Sequence, residues 1–169
     1  TPLRNFELVI SLILISFIRT IIGLTPAVLI ANYFFEFHLF ELGLYLIFFF
    51  FNLIVVGWTI GFFVSGLVLR YGHSFEELAW AIIFILLPFA CVYYPVNSLP
   101  ELMQYIALSL PTSYIFESMR YIIIEKKIVY ESINLILVLN LIYFSISIYF
   151  FLKMIRASRE NGMLMNQGE

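Results

Sequence analysis

Few residues in this sequence have the type and spacing to do chemistry. Arg19 is the only charge well inside a long apolar stretch. An ionisable side chain at that depth marks a transport path or an ion pair. A plainer reading places the start of the crossing near Leu14, so that the long Arg19 side chain snorkels to the near interface. No Asp or Glu lies deep in another apolar run to act as its partner, which argues against a proton relay or cation coupling. Gly57, Gly61 and Ser65 recur every four residues, a smooth ridge on which another helix can pack closely. His38 and His73 fall toward opposite faces of the membrane and cannot share a metal. The single cysteine, Cys91, can make no internal disulfide and reads as a small core residue. There is no nucleophile elbow, HExxH pair, Gly-rich phosphate loop or set of paired intramembrane carboxylates. The residues thus offer no catalytic group, no metal ligands and no cofactor site of their own.

The elements that would position these residues follow from composition. Hydrophobic residues make up 63% of the 169 and charged ones 12%, about half the charge of a typical soluble domain. The solvent of this chain is lipid. A net charge of -2 without a basic face gives no reason to expect a nucleic-acid partner. Four stretches are long and apolar enough to cross a bilayer, which takes about 20 residues. They are 8–35, 42–69, 78–96 and 133–152. The first contains Gly23 and Pro26 and is longer than one crossing needs, so it should tilt or kink. Pro88 should kink the third. Asn134, Asn140, Ser145 and Ser147 give the fourth a polar character that could line a path or bond a neighbouring helix, of which the second is the more common use. The sequence starts at Thr1 rather than Met, and we read it as the later part of a larger domain.

The segment between the third and fourth stretches is apolar but broken by Pro95, Pro100 and Pro111. Ser98 followed three residues later by Glu101 reads as a capping box, with Pro100 tolerated in the first turn. Pro111 disfavours helical geometry at Leu110, and Thr112 or Ser113 could cap a second helix running through Arg120. Each half is too short to cross, so the simplest solution over 98–124 is a helical hairpin that enters the membrane and returns to its own side. Charge agrees. With a returning hairpin, Arg4, Arg70, Lys153, Arg156 and Arg159 share one side, which is then cytoplasmic. Glu36, Glu41, Glu101, Glu125 and Glu131 take the other, and Lys126 and Lys127 become interfacial anchors. The expected architecture is an all-α integral membrane protein. It has four crossings within a domain of 1–159, a re-entrant outer hairpin, cytoplasmic ends and a polar tail over 160–169.

Two motifs in this layout resemble the ABC-2 type permease family of ATP-binding-cassette exporters. Thr1, Pro2, Leu3 and Glu7 match a TPLS-like stretch followed by an acidic residue ahead of a crossing. Pro95, Leu99, Pro100, Pro111, Thr112 and Arg120 match the family pattern PxxxLP, then Pro with Leu or Thr, then Arg. The resemblance covers nearly the whole chain apart from the tail. It implies a six-helix permease domain with two crossings and a coupling helix before Thr1. It also implies pairing with a second permease domain, identical or different, in a prokaryotic plasma (inner) membrane. Cytoplasmic ATPase subunits would hold ATP and Mg, and Thr1, Pro2, Leu3, Arg4 and Glu7 would belong to the surface that meets them. Family substrates are exported drugs, lipid-linked glycans and lipo-oligosaccharides. Two rivals from other classes are an ATP-independent carrier or channel, which also uses broken helices, and a membrane scaffold subunit. Against the carrier, the broken-helix pattern is not repeated in the other half.

Overall fold

A computed structural model describes residues 5–35, 43–125 and 130–160, all of it helices and the turns between them. The elements in order are α1 (Asn5–Phe35), α2 (Leu44–Tyr71), a 3-10 turn (His73–Glu76), α3 (Glu77–Phe89), a second 3-10 turn (Val96–Ser98), α4 (Glu101–Ser109), α5 (Pro111–Glu125) and α6 (Tyr130–Glu160). The chain divides into two compact units, Thr1–Phe48 and Phe49–Glu169.

The first unit holds α1, which runs unbroken through Gly23 and Pro26. Most of its large side chains, among them Ile15, Ile18, Ile22 and Leu29, are exposed, as lipid-facing residues are in a solvent that costs apolar surface nothing.

Three helices, over Phe6–Phe34, Tyr45–Tyr71 and Glu131–Ser158, are long and apolar enough to cross a membrane. The expected third crossing is not among them. α3 has 13 residues and stops at Phe89, one residue after Pro88, instead of running kinked to Val96. At 1.5 Å per residue it spans about 20 Å, short of a bilayer core of roughly 30 Å. The remaining residues of the expected span form an irregular stretch instead.

In the second unit α2 and α6 run parallel. Asn140 Nδ2 donates to Asn52 Oδ1 at 2.8 Å, Ser147 Oγ to the Thr59 carbonyl at 2.5 Å and Ser158 Oγ to the Leu69 carbonyl at 2.7 Å. The partners advance together along both helices, which only a parallel pair allows. Between these bonds lies an aromatic seam in which Phe62 meets Phe151 at 5.1 Å and Phe63 stacks on Phe150 at 4.7 Å. That seam uses two of the six phenylalanines of α2. The close approach falls at Gly66, where an added Cβ would sit 3.3 Å from the Phe151 Cα. Gly57, Gly61 and Ser65 occupy a different face. All three are exposed, and a Cβ at either glycine meets no heavy atom within 4 Å. The expected ridge is present and, among the described residues, no side chain or backbone of another helix packs on its glycines. The helix contact is made instead one residue beyond it, at a glycine outside the four-residue spacing.

Gly72 ends α2 with φ +96°, a conformation open to glycine, and its amide donates to the Val68 carbonyl at 2.9 Å. α5 packs along α6, while α4 lies against both α3 and α5. Tyr143 of α6 donates its hydroxyl to the Ser109 carbonyl at the end of α4, at 3.1 Å.

Candidate functional site

Pro95, Pro100 and Pro111 fall at the breaks between helices, and each break exposes carbonyls that a continuous helix would have satisfied. Eleven residues, 90–100, separate α3 from α4, and Cys91 sits at φ +54°, a left-handed conformation rare for a residue with a side chain. In an apolar environment each unpaired backbone group costs several kcal/mol. This stretch therefore needs donors from elsewhere.

One face of α5 supplies them. Ser113, Glu117 and Arg120 follow i, i+4, i+7 spacing and so share a side of the helix. Ser113 Oγ donates to the Phe89 carbonyl at 2.8 Å. Arg120 Nη2 donates to the Cys91 carbonyl at 2.6 Å and to the Tyr94 carbonyl at 3.2 Å, with Val92 O at 3.4 Å. Glu117 Oε1 accepts the Val96 amide at 2.7 Å and Arg120 Nη1 at 2.9 Å. Tyr94 adds a bond of its own, from its hydroxyl to the Pro88 carbonyl. The result is a staple. A forked cation grips carbonyls, and the carboxylate that orients it grips an amide. Cys91 itself is fully buried, packed with Val96 and Ala107 and flanked by Tyr94 and Leu99, which agrees with its reading as a core residue.

The two short helices lie where the prolines predicted, but their caps differ. Pro100, with φ -55° and ψ 148°, is the residue before α4 and makes no side-chain cap bond. Ser98 belongs to the preceding 3-10 turn and is exposed, so the Ser98–Glu101 box does not form. The Pro100 carbonyl instead takes the amides of Met103 and Gln104, and Gln104 Nε2 returns to the Leu99 carbonyl at 2.8 Å. Pro95 opens the 3-10 turn in extended geometry. Leu110 breaks the helices with φ -96° and ψ 136°, and Pro111, buried, is the first residue of α5. Thr112 and Ser113 consequently lie inside the first turn of α5 rather than before it. Ser113 spends its hydroxyl on α3, a role the capping reading missed.

Other expected site residues stand apart. Arg19 is exposed on α1, with no hydrogen-bond or ion-pair partner among the described residues. Glu7 is exposed in the first turn of α1, and its carbonyl accepts the Ser11 hydroxyl at 2.7 Å. Thr1, Pro2, Leu3 and Arg4 lie outside the described residues, as do His38, Lys126, Lys127 and the tail from 161. Arg70 Nη1 reaches Met154 Sδ at 3.6 Å, which puts the basic ends of α2 and α6 together.

The family model of the ABC-2 type transporter matches residues 1–124, a stretch that includes α1 to α4 and nearly all of α5 with the staple. Neither a curated protein nor a solved structure matches the chain. With about three quarters of its length matched to that model, this chain belongs to the ABC-2 type transporter family.

Proposed function

We propose that this chain is a permease subunit of an ATP-driven exporter, with four crossings and an outer re-entrant hairpin. α1, α2 and α6 would each cross once, and α3 would complete the third crossing together with the stapled stretch. The observation that carries the topology is the parallel course of α2 and α6. Two parallel crossings require one net crossing between them, so α4 and α5 must leave and return on one side. The pairing of Arg70 with Met154 supports a cytoplasmic end that also holds Lys153 and Arg156.

In this reading the permease forms a transport path with a second copy or a related subunit. ATP and Mg are held by separate cytoplasmic ATPase subunits, whose nucleotide state biases the permease between inward- and outward-closed forms. Thr1 to Glu7 would contribute to the contact with the ATPase. The cargo would come from the drug, lipid-linked glycan or lipo-oligosaccharide classes, and the membrane would be a prokaryotic plasma membrane. The direct test is purification of the full permease from membranes with the ATPase encoded beside it. Cysteines at Arg4 or Asn5 should crosslink to that ATPase more efficiently than one at His73. Failure to copurify, with no crosslink at either place, would favour a carrier or scaffold role.

A further inference from the structure

α2 and α6 reach the same edge of the apolar layer. Their stretches able to cross a membrane end at Tyr71 and Ser158, and the Ser158 hydroxyl donates to the Leu69 carbonyl at 2.7 Å. Arg70 stands in the last turn of α2, where a cation ordinarily bonds the final carbonyls of its own helix. Here those carbonyls are taken: Val68 O accepts the Gly72 amide and Leu69 O accepts Ser158.

Arg70 turns back along α6 instead. With Leu69 level with Ser158, Arg70 leaves its helix level with residue 159, yet its Nη1 ends 3.6 Å from Met154 Sδ. That is five residues back, or about 7 Å toward the membrane. Its Cζ lies 5.3 Å from the centre of the Tyr71 ring, which in turn packs on the Phe75 ring at 5.0 Å. A thioether is a weak acceptor, so the partly buried guanidinium keeps most of its five N–H donors without a strong partner. Lys153 and Arg156 lie within two residues of Met154 and are exposed. None of these three cations forms an ion pair among the described residues. The carboxylates nearest to Arg70 in the chain, Glu76 and Glu77, belong to the next turn and to α3.

Three cations at one edge of the apolar layer call for an anion, and a forked donor suits the oxygens of a phosphate. The Tyr71–Phe75 pair beside it is of the kind that seats at headgroup level. Basic residues between crossing helices at that level form the protein's half of a site for an anionic headgroup.

We propose that the joined ends of α2 and α6 bind an anionic phospholipid, with its phosphate on the Arg70 guanidinium beside Lys153 and Arg156. The site rests on α2 and α6 crossing the bilayer. It is independent of the permease reading and of which side is cytoplasmic.

The test titrates the purified full chain, delipidated in detergent, with phosphatidylglycerol or with phosphatidylcholine of the same acyl chains. Bound lipid is counted by native mass spectrometry. One basic residue at a membrane surface contributes about fivefold to the attraction of an anionic lipid, the factor that 1 kcal/mol represents. Phosphatidylglycerol should therefore bind at least about fivefold more tightly. Arg70→Gln should remove most of that preference, and Arg70→Lys should keep part of it, because the charge remains without the fork. Lys153→Gln, at an exposed position where packing is not disturbed, should cut the preference about twofold. Met154→Leu, which removes the sulfur but keeps the volume, should leave it intact. A photoreactive phosphatidylglycerol should label Tyr71, Phe75 or Met154. Equal binding of the two lipids, or a preference that survives both Arg70→Gln and Lys153→Gln, would overturn the proposal. So would displacement of the lipid by inorganic phosphate, which would make this a site for a free anion, or loss of ATPase binding in Arg70→Gln with lipid preference unchanged, which would make it a protein contact.

Discussion

The guanidinium of Arg120 holds the carbonyl of Cys91, 29 residues earlier in the chain, at 2.6 Å. It does so while oriented by Glu117 at 2.9 Å, and both side chains of that pair are about three-quarters buried. Hydrogen bonds to charged groups contribute about 1.5–3 kcal/mol each, less where water retains access. Arg120→Leu should therefore destabilise the protein by about 2 kcal/mol in a detergent unfolding titration, and Arg120→Lys by about 1 kcal/mol, because an ammonium keeps the charge but not the fork. Equal stability of the wild type and Arg120→Leu would mean that the irregular stretch is held by packing alone.

Glu117 separates two functions of the same carboxylate. Glu117→Gln keeps an acceptor for the Val96 amide but weakens the orientation of Arg120, whereas Glu117→Ala removes both. The account predicts a loss of about 1 kcal/mol for the first and about twice that for the second, read by the same titration. A Gln variant as damaged as the Ala variant would show that the charge is all that matters there.

Pro111 forces the break at Leu110. Relieving a helix of Pro recovers up to about 3 kcal/mol of local propensity, enough to favour a merged α4 and α5 unless the contacts of α4 with α3 outweigh it. A merged helix over 101–125 would be about 37 Å long. Pro111→Ala should then impair transport per inserted molecule more than it lowers abundance. Normal transport with unchanged cysteine accessibility at Asn97 would make the proline incidental.

Gly66 and Gly61 offer a paired comparison. A side chain at Gly66 meets the Phe151 backbone, so Gly66→Leu should cost about 1–3 kcal/mol through overpacking. Gly61→Leu should leave the stability of this chain alone, since nothing lies within 4 Å of its Cβ position. The measurement is thermal inactivation in detergent, where loss at Gly61 equal to that at Gly66 would reveal a partner helix on the bare ridge.

The parts of this fold legible in the sequence were those written in composition and proline. Length and apolarity located α1, α2 and α6, and Pro100 and Pro111 located the two short helices. Arg120 was visible as the last residue of the family pattern, whereas its pairing with Glu117 and its hold on the carbonyls of Cys91 and Tyr94 are seen only in the structure. What the sequence concealed depends on contacts distant in the chain. Nothing local fixes the stop of α3 at Phe89, since 90–96 carries no charge and its proline comes only at 95; the stop is stabilised by side chains on α5. Ser113 looked like a cap for the same reason: its true partner is 24 residues away. The Gly57–Gly61–Ser65 face meets no helix among the described residues, and only the phase of α6 singles out Gly66 as the close approach.

The most direct test of the central claim, that the chain leaves and returns on one side between α3 and α6, is cysteine accessibility in intact cells. In a Cys91→Ser background, an impermeant maleimide should label Asn97→Cys and Lys127→Cys while Ser74→Cys and Lys153→Cys stay protected until the cells are opened. Labelling of Asn97→Cys with protection of Lys127→Cys and labelling of Lys153→Cys would mean that the hairpin crosses the membrane, and would contradict the account.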